Sequence, residues 1–303
     1  MSGPHCGPIV ASSLVTKSLQ RYRNVAGKSR ENVARDLDWS LVKYARVEDG
    51  AVNIATSDLE TLLAYYHIGP EEADQLRYLG KVARAPAWWD EHGGVIADKA
   101  FLAYIGYESD AATIKMSQGL LVPGLLQTED YAKVVTALYR PDHAADVVRF
   151  RMERQKHVLT RRPRQFYILD EAVIRRRISD IMPRQLEHLI QMSRRAEVTI
   201  RVIPFHRGPH VGMRGPFALL EFDLDLEPVL FLESARLGDI VKPARTQNRH
   251  ADDERASETD GLVRAISDYE EAFRSLERVA LNPSESRNLI AQAARDLSGS
   301  ALE

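Results

Sequence analysis

Positive charge concentrates in one short segment near the start of the chain. Between Leu14 and Arg46, eight lysines and arginines stand against three acidic residues, whereas the whole chain of 303 residues has a net charge of -2. The cations are Lys17, Arg21, Arg23, Lys28, Arg30, Arg35, Lys43 and Arg46. Such a local excess favours phosphate binding, because each neutralised phosphate releases condensed counterions. A solvated helix face is the alternative that charge alone leaves open.

The same segment has the spacing of two short helices joined by a tight turn. Apolar residues occupy the places where these helices would face each other and a third helix: Val33, Leu37, Trp39, Tyr44 and Val47. Ala34 provides the small residue needed at the closest approach, Ser40 can cap the second helix, and Gly50 suits a left-handed position after it. The pattern predicts a helix-turn-helix, with an unrelated pair of amphipathic helices as the alternative.

Residues 27–50, GKSRENVARDLDWSLVKYARVEDG, resemble the Xre-type helix-turn-helix regulators, in which the helix after the capping serine enters the major groove. The resemblance implies base contacts from Leu41, Val42 and Arg46, and phosphate contacts from Arg30 and Ser40. Lys43 could reach a phosphate or a base, and Lys28 belongs to the same basic segment. The predicted DNA-binding residues are therefore Lys28, Arg30, Ser40, Leu41, Val42, Lys43 and Arg46.

The segment also departs from the family pattern. Leu41 and Val42 can offer only apolar contacts, for instance to thymine methyl groups, whereas Arg46 could bond guanine. Asp38 replaces the glycine of the tight turn and tolerates a left-handed conformation less well than glycine. Specific binding would then depend on dimer spacing, DNA shape or a partner. The alternative is an antitoxin-like protein-interaction module that no longer reads DNA specifically.

Five later stretches resemble the C-terminal domain of WhiJ-like bacterial regulators. They are residues 121–132, 167–176, 198–205, 210–222 and 281–290. The resemblance implies a transcriptional regulator, often encoded beside a small partner protein. Double-stranded DNA, a second copy of the chain, a small partner protein and an unknown small-molecule effector are therefore the expected partners. None of the five stretches is a catalytic motif.

The chain is predicted to have an α+β fold, with an all-helical domain followed by a mixed α/β regulatory and dimerisation domain. The expected boundaries are a flexible arm at 1–13, the helix-turn-helix domain at 14–85, a connecting helix at 86–108, and the α/β domain at 109–298 with a mobile insertion at 243–261. Strands are expected at 113–116, 165–169, 198–203, 217–222 and 229–232. Ser29, Ser40, Ser57 and Asn282 are predicted helix caps.

Several classes of function are expected to be absent. No uncharged apolar run approaches the roughly 20 residues of a membrane span, and the chain lacks a signal-peptide pattern, so we expect a cytoplasmic protein. Cys6 stands alone, and His206 with His210 lacks the further ligands of a zinc site, so we expect no metal or cofactor. We also expect no enzymatic activity. The arginines at 175–177 form either a solvated face or a second anionic surface.

Overall fold

The computed structural model describes residues 6–92, 94–96, 98–139, 141–233, 239–241 and 254–299. The chain divides into two compact units, whose main boundary lies between Asp90 and Glu91. The first unit is helical, and the second combines a mixed sheet with helices. The predicted α+β fold class is confirmed.

The described part of the first unit contains five complete helices. They are α1 (Pro8–Val25), α2 (Arg30–Asp36), α3 (Leu41–Glu48), α4 (Thr56–Tyr65) and α5 (Pro70–Ala83). Helix α1 packs against α5 and α3, while α2 packs against α3. Leu19, Val33, Tyr44, Leu59 and Leu76 are at most 2% exposed, so each of the five helices buries an apolar face.

The prediction of a flexible arm over residues 1–13 is wrong from Pro8 onward, where α1 begins. Proline suits the first position of a helix because its fixed φ angle is helical and its missing N–H would have no partner there. Val10 and Ala11 are fully buried, so this end of α1 is held by packing. Residues 1–5 lie outside the described residues.

The described part of the second unit contains a six-stranded sheet with the strand order β3-β2-β1-β4-β5-β6. The strands are β1 (Thr113–Gln118), β2 (Arg164–Asp170), β3 (Val198–Ile203), β4 (Phe217–Glu221), β5 (Val229–Leu232) and β6 (Asp239–Val241). Strands β1, β2 and β3 are parallel, whereas β4, β5 and β6 continue the sheet in antiparallel pairs. The predicted strands at 198–203 and 229–232 are confirmed at their predicted bounds.

The described part of the second unit also contains seven helices. They are α6 (Lys99–Asp110), α7 (Glu129–Tyr139), α8 (Ala144–Arg161), α9 (Glu171–Arg175), α10 (Met182–Met192), α11 (Glu254–Val279) and α12 (Pro283–Gly299). Parallel strands need crossover connections, which α7 with α8 and α9 with α10 provide. Helix α11 packs Phe273 and Leu276 in one core cluster with Phe217, Leu219 and Leu230 of the sheet.

Two predicted segments differ from the structure. In place of a connecting helix over 86–108, a short 3-10 turn (Trp88–His92) precedes α6, whose N-terminus is capped by the carboxylate of Asp98. The predicted mobile insertion at 243–261 lies outside the described residues up to 253. From Glu254 its backbone forms the start of α11, where polar composition hid the helical periodicity.

Candidate nucleic-acid interface

The turn between α2 and α3 has the expected geometry. Asp38 adopts a left-handed conformation with φ of 53°, which an aspartate tolerates better than most residues. The backbone N–H of Trp39 donates to the carbonyl of Ala34 over 2.8 Å and closes the turn. Val33, Ala34, Tyr44 and Val47 are buried as predicted, and Leu37 and Trp39 are half-buried.

Helix α3 begins at a capped end and presents one face outward. The hydroxyl oxygen of Ser40 accepts a hydrogen bond from the backbone N–H of Lys43 over 3.1 Å. Beyond this cap, Leu41 is 43% and Val42 68% exposed, and Lys43 and Arg46 are also exposed. Within the first unit, the predicted base-reading side chains are therefore exposed, next to predicted phosphate-binding groups.

A buried carboxylate holds the inner face of α3. Glu48 is 1% exposed, and its two oxygens accept hydrogen bonds from the Nε atoms of Arg23 in α1 and Arg30 in α2, each over 2.5 Å. The hydroxyl of Tyr44 also donates to Glu48, over 3.2 Å, and lies 2.8 Å from the hydroxyl of Tyr66. A buried carboxylate requires hydrogen-bond partners. Glu48 receives them from two other helices, so the network connects α1, α2 and α3.

Burial raises the pKa of the tyrosines in this network. The pKa of Tyr66 is raised to about 12, chiefly because its environment disfavours the phenolate. The pKa of Tyr44 is raised further, by burial and by the charge of Glu48. Both hydroxyls are therefore protonated at neutral pH, and the hydroxyl of Tyr44 donates to Glu48.

The predicted DNA-binding cations differ in how they are engaged. The guanidinium of Arg30 binds both Glu48 and Asp49, and its side chain is 19% exposed, so its first role is to hold α3. Sequence analysis assigned it to phosphate contact because it could not identify these two acidic neighbours. Arg46 is exposed, and no described acidic side chain forms an ion pair with it.

The two predicted lysines form surface ion pairs. Lys28 lies 3.1 Å from Asp36, whose hydrogen bond and charge raise the pKa of the lysine. Lys43 lies 2.8 Å from Asp58 and 3.9 Å above the centre of the Trp39 ring. Both lysine side chains are 43% exposed. Such pairs contribute little to stability, so either ammonium group can exchange its carboxylate for a phosphate.

Sequence analysis missed Arg23 and Glu48 as members of this site. A signal was present, because each lies four residues after a buried apolar residue, Leu19 or Tyr44, on the same helix face. A charged residue that continues an apolar stripe indicates a buried pair. The partner can be chosen only once the helices are placed.

Comparison with protein families covers both units. A helix-turn-helix domain model matches residues 17–76, which include the turn and α3. A second model, described as a domain of unknown function (DUF5753), matches residues 101–259, more than half of the chain. The chain belongs to the DUF5753 family. No curated protein and no solved structure matches it.

The helix-turn-helix match indicates that this DUF5753 protein is a DNA-binding regulator. The DUF5753 model assigns no activity to the second unit, so the WhiJ-like resemblance stays a prediction. None of the described helices combines the length and the apolar composition that crossing a membrane requires.

The sequence of the second unit contains two further candidate sites, a pair of histidines and a run of three arginines. His210 Nε2 lies 3.0 Å from Asp170, so this histidine connects its loop to the end of β2, whereas His206 is exposed. Among the described residues, no group of three or more histidines, cysteines or acids is placed to hold a metal ion. In the arginine run, Arg175 pairs with Glu171 and Asp296, and Arg176 and Arg177 are exposed.

Proposed function

We propose that the protein is a sequence-specific regulator of transcription that reads double-stranded DNA with α3. The observation that carries the proposal is the outward face of this capped helix, where apolar and cationic side chains are exposed together. Leu41 and Val42 would contact thymine methyl groups, and Arg46 would donate two hydrogen bonds to a guanine. Lys28 and Lys43 would bind phosphates and position the helix.

The proposal includes a symmetric dimer, because one helix-turn-helix covers only half of a site. The second unit would then supply dimerisation and bind a small partner protein or an effector. We propose that it acts by binding rather than by catalysis. A regulator of this kind works in the cytoplasm, where bacterial DNA is located.

Selection of bound genomic fragments by the full-length protein tests this proposal. Fluorescence anisotropy then compares a selected fragment with a scrambled one, at several salt concentrations. The Arg46→Ala variant should bind the selected fragment about tenfold or more weakly, because a bidentate base contact contributes about 1–3 kcal/mol. It should also lose the sequence preference at one base position of the site. The matched control is Arg77→Ala, an exposed arginine on α5 that pairs with Glu60. Equal losses from both variants on every fragment would contradict base reading by Arg46.

A variant of Arg30 separates two roles for this residue. If Arg30 binds a phosphate, Arg30→Ala weakens selected and scrambled DNA alike and lowers the salt slope by about 1. If Arg30 acts by holding α3, the affinity falls but the slope is unchanged, and the first unit also loses stability. We expect the second result, because two carboxylates already engage its guanidinium.

The second candidate function is an antitoxin-like interaction module. The exposure of Leu41 and Val42 favours it, because an apolar pair on a helix surface fits a groove of a partner protein. This function would be favoured if no fragment is retained at micromolar protein and low salt, and if a small protein encoded next to the chain binds it tightly. Selective capture of fragments that share one sequence motif would exclude it.

A further inference from the structure

Two arginines of helix α8, Arg151 and Arg154, lie one turn apart in contrasting surroundings. The guanidinium of Arg154 donates to both oxygens of Glu108, from Nε over 2.7 Å and from Nη2 over 2.6 Å. It also lies 5.5 Å from the ring centres of Phe101 and Tyr104. Glu108 is 1% exposed, so this is a buried, bidentate and electrically balanced pair.

Arg151 has no comparable partner. Its Nη1 donates to the side-chain oxygen of Gln127, which is a neutral amide, and no described carboxylate forms an ion pair with it. Burial, followed by the positive charge of Arg154, lowers the pKa of Arg151 to about 10, although the negative charge of Glu233 acts in the opposite direction. The side chain is partly buried, so part of its surface stays exposed. A desolvated cation that no carboxylate contacts directly is unfavourable.

The loop that follows β1 holds the neutral partner in place. The side-chain amide of Gln127 donates to the carbonyl of Val122 over 2.8 Å, and Gln155 donates to the carbonyls of Gly124 and Gln127. The hydroxyl of Tyr131 accepts from the backbone N–H of Val122 over 3.1 Å. These bonds fix the loop against α8, so the site is preorganised before any ligand arrives.

We propose that Arg151, with the loop at residues 122–127, forms a binding site for a carboxylate. A guanidinium offers five N–H donors in a planar fork that matches two carboxylate oxygens, and a described protein acceptor takes only one of them. A single negative charge is the expected complement, because Glu108 already neutralises Arg154. The site follows the carboxyl end of a parallel strand, where ligands of α/β sheets commonly bind.

Thermal unfolding of the full-length protein tests the site, with acetate as the probe and chloride at the same ionic strength as the reference. The unfolding temperature of the wild type should rise by about 2–4 °C as acetate approaches saturation. Arg151→Met should lose this acetate-dependent rise. Without acetate it should unfold no lower than the wild type, because it removes a desolvated cation that no carboxylate contacts and keeps the apolar stem. If Arg151 had only a structural role, the Arg151→Met variant would instead be less stable than the wild type by the same amount in both salts.

Arg149→Met is the matched control, because Arg149 lies on the same helix, is 67% exposed and pairs with Asp146. It should respond to acetate as the wild type does. An equal response of Arg151→Met and the wild type, or no response of the wild type to acetate, would overturn the proposal. The site stands on the geometry around α8, so it goes beyond the proposed function and can fail or hold independently of DNA binding.

The carboxylate could come from a small organic acid or from the C-terminus of a polypeptide. Isothermal titration with propionate and with a short peptide, whose C-terminus is either free or amidated, separates these sources. Binding of the free peptide that amidation abolishes, and that exceeds the affinity for propionate, identifies a chain terminus. Comparable or tighter binding of propionate identifies a small acid. Arg151→Lys should weaken either ligand, because an ammonium group lacks the planar fork.

Discussion

Glu48 in the first unit and Glu108 in the second are helical glutamates with almost no exposed surface, and they are neutralised in different ways. Glu48 in α3 shares its oxygens between two arginines from different helices and receives the hydroxyl of Tyr44. Glu108 in α6 uses both oxygens for the single guanidinium of Arg154 and receives the hydroxyl of Tyr104 over 2.7 Å. Both glutamates are 1% exposed.

The difference shows why a count of charges is a poor guide to which cations can bind a ligand. Around Glu48, the side chains of Arg23 and Arg30 are committed to the scaffold, which leaves Arg46 on the outer face of the same helix. Around Glu108, one arginine is fully engaged and the neighbouring Arg151 is not. In both units, a helix that takes part in the buried pair also carries an arginine, Arg46 or Arg151, that forms no ion pair with a described carboxylate.

The largest loss of stability should come from breaking the ion pair between Glu108 and Arg154. Glu108→Ala leaves Arg154 buried without a counterion, so we expect the second unit to lose about 3–5 kcal/mol of unfolding free energy. Urea titration followed by hydrogen exchange of peptides from α6 and α8 measures the loss. Glu129→Ala, which removes an exposed ion pair with Lys133 on α7, is the control and should cost less than about 1 kcal/mol. Similar losses from both variants would remove the distinction between buried and surface pairs.

Breaking the shared carboxylate should cost less. In Glu48→Ala we expect the first unit to lose about 2–3 kcal/mol, because Arg30 is 19% exposed, can regain water and keeps its ion pair with Asp49. DNA affinity should also fall on selected and scrambled fragments, since α3 loses its anchor to α1 and α2. Hydrogen exchange of peptides from α3, with anisotropy on both fragments, checks the two effects. Unchanged exchange in α3 would show that Glu48 does not hold the helix.

Local signals in the sequence predicted much of the fold. Ser29 and Ser40 cap their helices, and Asn282 accepts from the backbone N–H groups of Ser284 and Glu285, as the sequence predicted. The prediction for Ser57 is wrong, because α4 begins one residue earlier with Ala55 at the cap position. A helix cap can be predicted from the sequence where the residue before the helix has a side-chain oxygen, and Ala55 has none.

The candidate site was predictable in part. The exposure of Leu41, Val42 and Arg46 follows from the helical spacing of their buried neighbours, which the sequence contains. The pairing of Arg30 with Glu48 and Asp49 joins residues of two helices, and the angle between those helices depends on the whole core. A sequence therefore indicates which face points outward more reliably than which charges meet.

Alkaline pH should weaken the hydrogen-bond network around Glu48 in the first unit, through the ionisation of Tyr66. Tyr66 has a pKa of about 12 in the folded chain, against about 10 when unfolded. Its stabilisation is complete below about pH 10 and is lost as the pH rises towards 12. We expect a loss of about 1–2 kcal/mol after allowance for partial exposure.

The comparison of Tyr66→Phe with Tyr78→Phe tests this assignment. Tyr66→Phe should flatten the alkaline fall in stability without abolishing it, because burial also raises the pKa of Tyr44. Tyr78 is 39% exposed, so Tyr78→Phe should keep the wild-type profile. Urea unfolding between pH 9 and 12, monitored by hydrogen exchange in the first unit, provides the profile. Identical profiles for all three proteins would assign the alkaline loss to other groups.

The smallest effect should come from a surface pair next to α3. Asp58→Asn frees Lys43 from its carboxylate and should change stability by at most about 0.5 kcal/mol, because this pair lies in contact with water. Because Lys43 becomes available to a phosphate and a negative charge is removed, the variant should bind every DNA fragment more tightly. The salt slope should steepen by about 1, as expected for one added phosphate contact. Asp74→Asn is the control, since Asp74 pairs with Arg77 on α5. A clear loss of stability in Asp58→Asn would mean that pairing itself, rather than burial, sets the value of these ion pairs, and the contrast with Glu48 and Glu108 would disappear.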